Sequence, residues 1–345
     1  MIISILASIG SDNLGDELIL KNEINILEKK YSPEKVYFFV YSYDYKNPFY
    51  KKDNICYKEY FPIGSGKKRN FLRNIKDFFV FLKITFKSDL IVIGGGGIIY
   101  DEEKQKTRSP LDLWIFRTNI FRLFFKKFIF FRVGIDIKNE NNLYKVKKIF
   151  KKAANIEVRD FNSFKLLQSL AINSEIEKDP VFYDNGDFHD KNFCIKKTSS
   201  TKFKISDLNH INFEGKKVGI AFRSNYLSVS KGNEMTKFEK KLETLKVEEI
   251  INHIKKSNGE VILLPHSFHK TDIMANDYTF LKQFSDKHNL VIGTNMQEVY
   301  SFYKERKIDI CLSMRLHSII LATVYEIPFI ALSYSTKTDE VLVGK

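Results

Sequence analysis

The chain has 345 residues, 43% of them hydrophobic and 28% charged, so it can bury a sizeable core and is not disordered by composition. At roughly 150 residues per domain, this length points to two domains. With 56 Lys and Arg against 42 Asp and Glu, the net charge is +14. That charge suits an anionic partner such as nucleic acid, membrane phosphate or a small phosphorylated substrate, although a Lys-, Asn-, Ile- and Phe-rich codon habit explains it equally well.

Cys56, Cys194 and Cys311 are odd in number and far apart, which excludes a disulfide framework and a zinc site with ligand spacing. The opening MIISILASIG carries no basic leader or cleavage site. No stretch reaches the about 18 uninterrupted apolar residues needed to span a bilayer. A cytoplasmic protein is the expectation, with peripheral membrane contact at the inner face as an open alternative.

Residues 2–7 read as a strand, 16–30 as a helix and 35–43 as a strand rich in Val, Tyr and Phe. Residues 71–86 repeat apolar residues at helical spacing, and 90–93 form a buried-type strand running into four glycines. A strand at 128–134, a helix at 141–153, a short strand at 156–158, a helix at 161–170 and a closing segment at 177–182 complete the first half. Polar residues then dominate 185–213, the best linker candidate.

The pattern restarts with strands at 217–222, 259–264, 290–292, 309–312 and 328–332. Helices at 246–257, 276–286, 296–304 and 315–324 alternate with them. Strands alternating with helices imply parallel sheets covered on both faces. The expected organisation is an α/β protein with domains at 1–184 and 214–345, both doubly wound and facing a cleft. In such sheets ligands sit beyond the carboxyl ends of strands.

Four strand-to-helix junctions stand out. Gly10-Ser-Asp-Asn-Leu-Gly-Asp-Glu17 follows the first strand, with Asp12, Asn13 or Asp16 able to cap the next helix. Its glycine spacing matches neither a dinucleotide fingerprint nor a nucleoside-triphosphate loop. In DLIVIGGGGIIYDE, four consecutive glycines including Gly95 and Gly96 exceed what a turn needs, and imply close backbone approach to a ligand or to the facing domain. Asp101 and Glu102 then supply carboxylates, whose plainer role is a solvated cap.

In VGIAFR, Arg223 ends the first strand of the second half. In DICLSMRLHS, Arg315 and His317 enter a helix together, a guanidinium and an imidazole beside free N–H groups. That combination describes an anion site with a proton-transfer group. Tyr334 and Lys337 follow the next strand. His266 and His269 have metal-compatible spacing, with Asp272 the nearest carboxylate, but no constellation completes a site. His266 reads instead as part of a polar loop supporting the site.

Residues 71–86 and 116–132 mix Phe with Lys and Arg. One buried and one solvated helix face is the ordinary explanation, and a surface lying on an anionic membrane is the functional one.

Together, GSDNLGDE, DLIVIGGGGIIYDE, EVRDFNSFKLLQSL with EKDPVF, VGIAFR, VILLPHS and DICLSMRLHSIILATVYEIPFIALSYSTK resemble the polysaccharide pyruvyl transferase family, in order and over nearly the whole chain. The resemblance implies two Rossmann-like domains of the GT-B kind. It also implies transfer of pyruvate from phosphoenolpyruvate to two hydroxyls of a sugar, without a cofactor. Arg223 and Arg315 would hold the phosphate and carboxylate, and His317 would be the main acid/base residue. Leu316 would shape the site, and Asp101 would be a cleft carboxylate, catalytic together with His317.

Asn13, Asp16, Gly95, Gly96, His266 and Lys337 complete the expected substrate-binding set. The acceptor would be a sugar or lipid-linked oligosaccharide bound on the N-terminal side, with phosphoenolpyruvate on the C-terminal side. The chain ends at Lys345, earlier than the resemblance leads one to expect, so a shortened C-terminal domain is also expected. The nearest rival is a GT-B glycosyltransferase using a nucleotide-sugar donor, for which Glu326 or Asp339 would bind ribose. A basic, non-catalytic membrane or nucleic-acid binder is the other, and no nucleic-acid recognition motif supports it.

Overall fold

The computed structural model describes residues 1–31, 36–61, 71–101, 109–186, 193–199, 202–224, 237–270 and 275–333. The chain divides into two compact units. One comprises Met1–Ser11 with Asp16–Pro180, the other Asp12–Gly15 with Val181–Lys345.

In the first unit, strands β1 (Ile2–Leu6), β2 (Tyr37–Ser42), β3 (Ile55–Glu59), β4 (Leu90–Gly94), β6 (Phe128–Val133), β8 (Asn155–Val158) and β9 (Glu175–Ile176) form a parallel sheet. Its order among the described residues is β3-β2-β1-β4-β6-β8-β9. Short strands β5 (Ile99–Tyr100) and β7 (Ile135–Asp136) pair separately. Among the described residues its helices are α1 (Leu14–Tyr31), α2 (Phe71–Lys87), α3 (Pro110–Leu123), α4 (Leu143–Phe150) and α5 (Phe161–Ser169).

The sequence explains these elements locally. LIVIG of β4 and FIFFRV of β6 are buried along their whole length, as central parallel strands covered on both faces must be. On one face Ile3, Ile5 and Val92 pack with Leu20, Ile24 and Leu27 of α1. On the other, Ile91 and Ile93 pack with Phe81 of α2 and Trp114 and Phe121 of α3. Helix α3 starts where Ser109 accepts a hydrogen bond from the Leu111 N–H and Pro110 takes the first helical position.

The second unit contains β10 (Cys194–Ser199), β11 (Lys217–Ala221), β12 (Glu260–Leu263), β13 (Val291–Ile292), β14 (Ile310–Ser313) and β15 (Phe329–Ser333). They form a parallel sheet of order β10-β15-β14-β11-β12-β13 among the described residues. Helices α6 (Lys237–Lys256), α7 (Asp277–His288), α8 (Met296–Lys304) and α9 (Leu316–Val324) accompany it. The strand order reverses between β1 and β4 in the first unit and between β11 and β14 in the second, the switch points beyond which ligands bind in such sheets.

One expectation needs correcting. Residues 185–213 are not a linker: β10 pairs with β15 as the edge strand of the second sheet, and Phe203, Leu208 and Phe213 are buried in that unit's core. The second unit accordingly begins at Val181 rather than at 214, and it also takes in Asp12–Gly15. The segment expected at 177–182 forms a single 3₁₀ turn, Pro180–Tyr183, with the strand earlier at Glu175–Ile176. Among the described residues no helix is long and apolar enough to cross a membrane.

Candidate active site

At the switch point of the second unit, β11 pairs with β14 so that Ala221 lies opposite Ser313. Arg223 and Arg315 therefore leave the same carboxyl edge of the sheet, each two residues beyond a register pair. Ser313 shapes the second exit. Its hydroxyl accepts the Arg315 N–H at 3.0 Å and donates to the Arg315 carbonyl at 3.0 Å, closing a tight turn. Arg315 is then the residue preceding α9, and Leu316 and His317, both half-buried, form its first turn. The apolar body of α9 anchors this turn, with Ser318–Ala322 all buried.

The guanidinium of Arg315 forms a two-pronged ion pair with Asp277. Nε donates to Oδ2 at 2.8 Å and an Nη donates to Oδ1. Asp277 has no solvent exposure, and the Arg315 side chain has 16%. A bidentate pair of this kind fixes both the position and the plane of the guanidinium. Asp277 is the first residue of α7, held there because the Asn276 side chain caps the helix by accepting from the Thr279 N–H at 2.9 Å. Oδ2 of Asp277 also accepts the backbone N–H of His266 at 3.3 Å, tying the 264–269 loop to the same carboxylate.

His266 is buried, and its Nε2 meets the Tyr303 hydroxyl at 3.0 Å. That hydroxyl lies 2.7 Å from Ser318 Oγ, which in turn is 3.4 Å from Cys311 Sγ. Burial pushes the His266 pKa well below its usual value, and the positive charge of Arg315 and proximity to His317 push the same way. The imidazole is therefore neutral around pH 7 and is held against the Tyr303 hydroxyl. Burial raises the Cys311 thiol to about 11, so it is not a nucleophile at neutral pH.

His317 rests against a segment from the beginning of the chain. Residues Asp12–Gly15 belong to the second unit, where the Leu14 N–H donates to the His266 carbonyl at 2.9 Å and the Phe268 N–H to the Asp12 carbonyl at 2.8 Å. Asn13 bridges to Ser267 and caps α1, its Oδ1 accepting the Gly15 N–H at 3.1 Å. Lys270 pairs with Asp12 at 3.2 Å. Gly15 meets the His317 ring directly: any Cβ there would overlap Nδ1, Cγ and Cε1 of the imidazole.

The expected residues of the first unit have clear structural settings. Gly95 and Gly96 adopt positive φ of 66° and 80°, the left-handed region that favours glycine. A Cβ on Gly95 would press on Ile19 of α1, and one on Gly96 would touch Asp16 Oδ1 at 3.4 Å. Asp101 is buried, and its carboxylate accepts from the N–H groups of Lys138 at 2.8 Å and Asn139 at 3.0 Å and from Asn142 Nδ2 at 3.1 Å. Burial raises its pKa, but these hydrogen bonds outweigh it and hold the group below the usual carboxylate range. Asp101 is thus a permanent anion pinning the 138–142 turn, a setting unlike that of a proton shuttle.

The structure brings Arg315, Leu316, His317, His266 and Asn13 together in the second unit and places Arg223 at the same sheet edge. Asp16, Gly95, Gly96 and Asp101 belong to the first unit. Lys337, Tyr334, Glu102, Asp272 and Asp339 lie outside the described residues. Glu326 is paired with Arg306 at 2.8 Å. Among the described residues no three His, Cys, Asp or Glu side chains are grouped to hold a metal. Sequence reasoning missed Asp277, Tyr303 and Gly15. Asp277 carried one weak signal, an acid just behind an Asn cap, which is also what any well-capped helix shows.

A family model described as polysaccharide pyruvyl transferase matches residues 13–336. No curated protein matches the sequence. Among solved structures, the chain is similar to a UDP-GlcNAc 2-epimerase from Methanocaldococcus jannaschii, at 12% identity and a TM-score of 0.49 over 100% of this chain and 91% of that one. A second UDP-N-acetylglucosamine 2-epimerase gives 12% identity and a TM-score of 0.45 over 92% and 74%. The lipopolysaccharide outer core galactosyltransferase WaaB gives 11% and 0.44 over 96% and 80%.

Proposed function

This chain belongs to the polysaccharide pyruvyl transferase family and is a transferase enzyme, and from that premise we propose that it moves pyruvate from phosphoenolpyruvate onto two hydroxyls of one sugar, closing a cyclic ketal. The acceptor is a surface polysaccharide or its lipid-linked precursor, and no cofactor takes part. The observation that carries this reading is the Arg315 turn. A guanidinium locked by Asp277 stands one residue ahead of a helix whose first turn bears His317, and Arg223 leaves the adjacent strand at the same level.

Phosphoenolpyruvate concentrates a phosphate and a carboxylate on three carbons, which planar guanidiniums and helix N–H groups bind well. In the proposed sequence, a proton reaches the methylene carbon and leaves oxocarbenium character at the central carbon. The first sugar hydroxyl adds there and gives up its proton. The bond to phosphate oxygen breaks, releasing inorganic phosphate. A neighbouring hydroxyl then closes the ketal and loses its own proton. Of the two hydroxyl protons, one replaces that delivered to carbon and the other leaves with phosphate.

His317 serves as the acid and base, since an imidazole carries one ring nitrogen that can donate a proton and one that can accept it. Arg223 and Arg315 hold the anionic groups, Leu316 and His266 form the walls, and Lys337 joins the donor side. Asn13, Asp16, Gly95 and Gly96 shape the acceptor side, and Asp101 acts by fixing its turn. The enzyme works at the cytoplasmic face of the membrane. Support for membrane contact comes from α2, where Leu72, Phe79 and Phe86 are exposed among Arg73, Lys76, Lys83 and Lys87.

The test is incubation of the purified chain with pyruvate-free glycan and phosphoenolpyruvate, reading phosphate release and a pyruvate-sized mass gain on the glycan. His317→Gln is expected to lower turnover at least about 100-fold. Near-normal turnover in that variant would overturn the role of His317, and consumption of a nucleotide sugar in place of phosphoenolpyruvate would overturn the reaction.

A further inference from the structure

Tyr303 of α8 is fully buried, yet it ends in a hydroxyl that meets two polar partners. The oxygen lies 3.0 Å from His266 Nε2 and 2.7 Å from Ser318 Oγ. Cys311 Sγ of β14 closes the run, 3.4 Å from Ser318 Oγ and 3.9 Å from the Tyr303 hydroxyl. A loop, two helices and a strand thus meet through four buried polar side chains. Apolar residues of the same shapes would serve stability about as well, since paired buried polar groups gain little over them. What a satisfied polar chain adds is a single fixed arrangement.

The arrangement it fixes is that of His266 against the first turn of α9. His266 is tied on three sides. Its backbone N–H donates to Asp277 Oδ2 at 3.3 Å, the oxygen that also takes the Arg315 Nε at 2.8 Å. Its carbonyl accepts the Leu14 N–H at 2.9 Å, one residue before the Gly15 on which the His317 ring rests. Its side chain reaches through Tyr303 to Ser318, the residue after His317. Removing the Tyr303 hydroxyl leaves the first two ties in place and breaks the third, which runs directly to α9.

We infer that Tyr303 is a positioning residue, which holds the turn bearing His317 in register with Arg315 and Gly15 by fastening His266 to Ser318. Being buried, it acts through these two neighbours and not on the substrate. The inference rests on the proposed part of His317 as acid and base. Arg315 has its own mooring on Asp277, so the anionic groups of phosphoenolpyruvate should still bind when the chain is broken. Turnover and binding then part company. A merely structural role would leave both intact in whatever protein remains folded.

The experiment compares the full chain with Tyr303→Phe, Ser318→Ala and the double variant. Tyr303→Phe keeps the ring and its edge contact with His266, centroids 5.6 Å apart, and removes only the hydroxyl. Three quantities are read at a temperature where every variant is folded. They are phosphate release with the pyruvate-free glycan, phosphoenolpyruvate binding by calorimetry, and the ring signals of His317 by nuclear magnetic resonance on histidine-labelled protein. The His317 signals are assigned by their loss in His317→Gln.

In Tyr303→Phe, kcat should fall about ten- to a hundredfold, with KM and affinity for phosphoenolpyruvate within about twofold of the wild type. Ser318→Ala should lose turnover in the same way, and the double variant should be no worse than the poorer single one, as members of one chain are not additive. The His317 ring signals, single and sharp in the wild type, should broaden or double. Wild-type kcat in both single variants, or a loss of binding that matches the loss of turnover, would overturn the inference. Should Tyr303→Phe fail to fold, Ser318→Ala decides alone. A wild-type chain that releases no phosphate would sink the transfer reaction and leave the ring signals to decide this one. Signals already broad in the wild type, or unchanged in the variants, would then overturn it.

Discussion

Gly15 and His317 are packed so closely that a single methyl group on the glycine would occupy the space of the imidazole. The ring is the outer part of a side chain and can swing aside, so Gly15→Ala should cost little stability, under about 1 kcal/mol. The displaced imidazole would be misaligned by about an ångström, a change worth about 100-fold in rate. Phosphate release and thermal melting measured on the same preparation check this. Equal losses in both would mean that Gly15 matters for folding alone.

The Asp277–Arg315 pair gives a second expectation. Replacing the fully buried carboxylate of this ion pair by a neutral group should cost about 3–5 kcal/mol. Asp277→Asn should lower the urea midpoint accordingly and weaken binding of phosphoenolpyruvate, because the guanidinium loses its two-pronged mooring. The double variant Asp277→Leu with Arg315→Met should be more stable than Asp277→Asn and inactive. A double variant no more stable than the single one would place the stabilisation elsewhere.

His266 sets a pH dependence on the acid side. Its folded-state pKa lies well below the ordinary value of 6.5, chiefly through burial. Above that value both folded and unfolded chains carry a neutral imidazole and the group has no effect. As pH falls below about 6.5 the unfolded chain takes up the proton first, and stability declines by up to about 1.4 kcal/mol per pH unit. Urea titrations at successive pH values should show a shallower decline in His266→Gln than in the wild type.

Glu23 of α1 acts in the opposite window. It is fully buried, neither carboxyl oxygen has a hydrogen-bond partner among the described residues, and the Gly94 backbone closes over it. Burial raises its pKa well above 4.5, partly offset by Arg132 and reinforced by Glu157. The folded state therefore keeps a proton that the unfolded chain releases above about 4.5, and stability falls as pH rises towards the folded value. Glu23→Gln cannot ionise, so its stability advantage over the wild type should widen from pH 5 to pH 8. A constant difference across that range would contradict the assignment.

The legible parts of the sequence were those where physics acts locally. LIVIG, VGIA and ICLS announce central strands because both their faces are covered. The rule that ligands gather beyond strand ends then pointed to Arg223, Arg315 and His317. Edge strands were not legible. ICYKE of β3 and CIKKTS of β10 leave much of their surface open, so they alternate or stay polar, and CIKKTS read as linker. Asp277 was hidden for a different reason. Its meaning lies in a partner 38 residues away, and no local pattern distinguishes it from an ordinary helix-capping acid.

The segment Asp12–Gly15 has a bearing on how the enzyme comes into being. It belongs to the second unit, and the imidazole it supports lies far downstream in sequence, at His317. A ribosome must therefore deliver every residue from Asp12 to His317 before the proposed acid and base finds its seat, and a fragment starting at Val181 would carry His317 without the support of Gly15. Supplying the opening residues in trans, as a short peptide, is the direct way to watch that seat being restored.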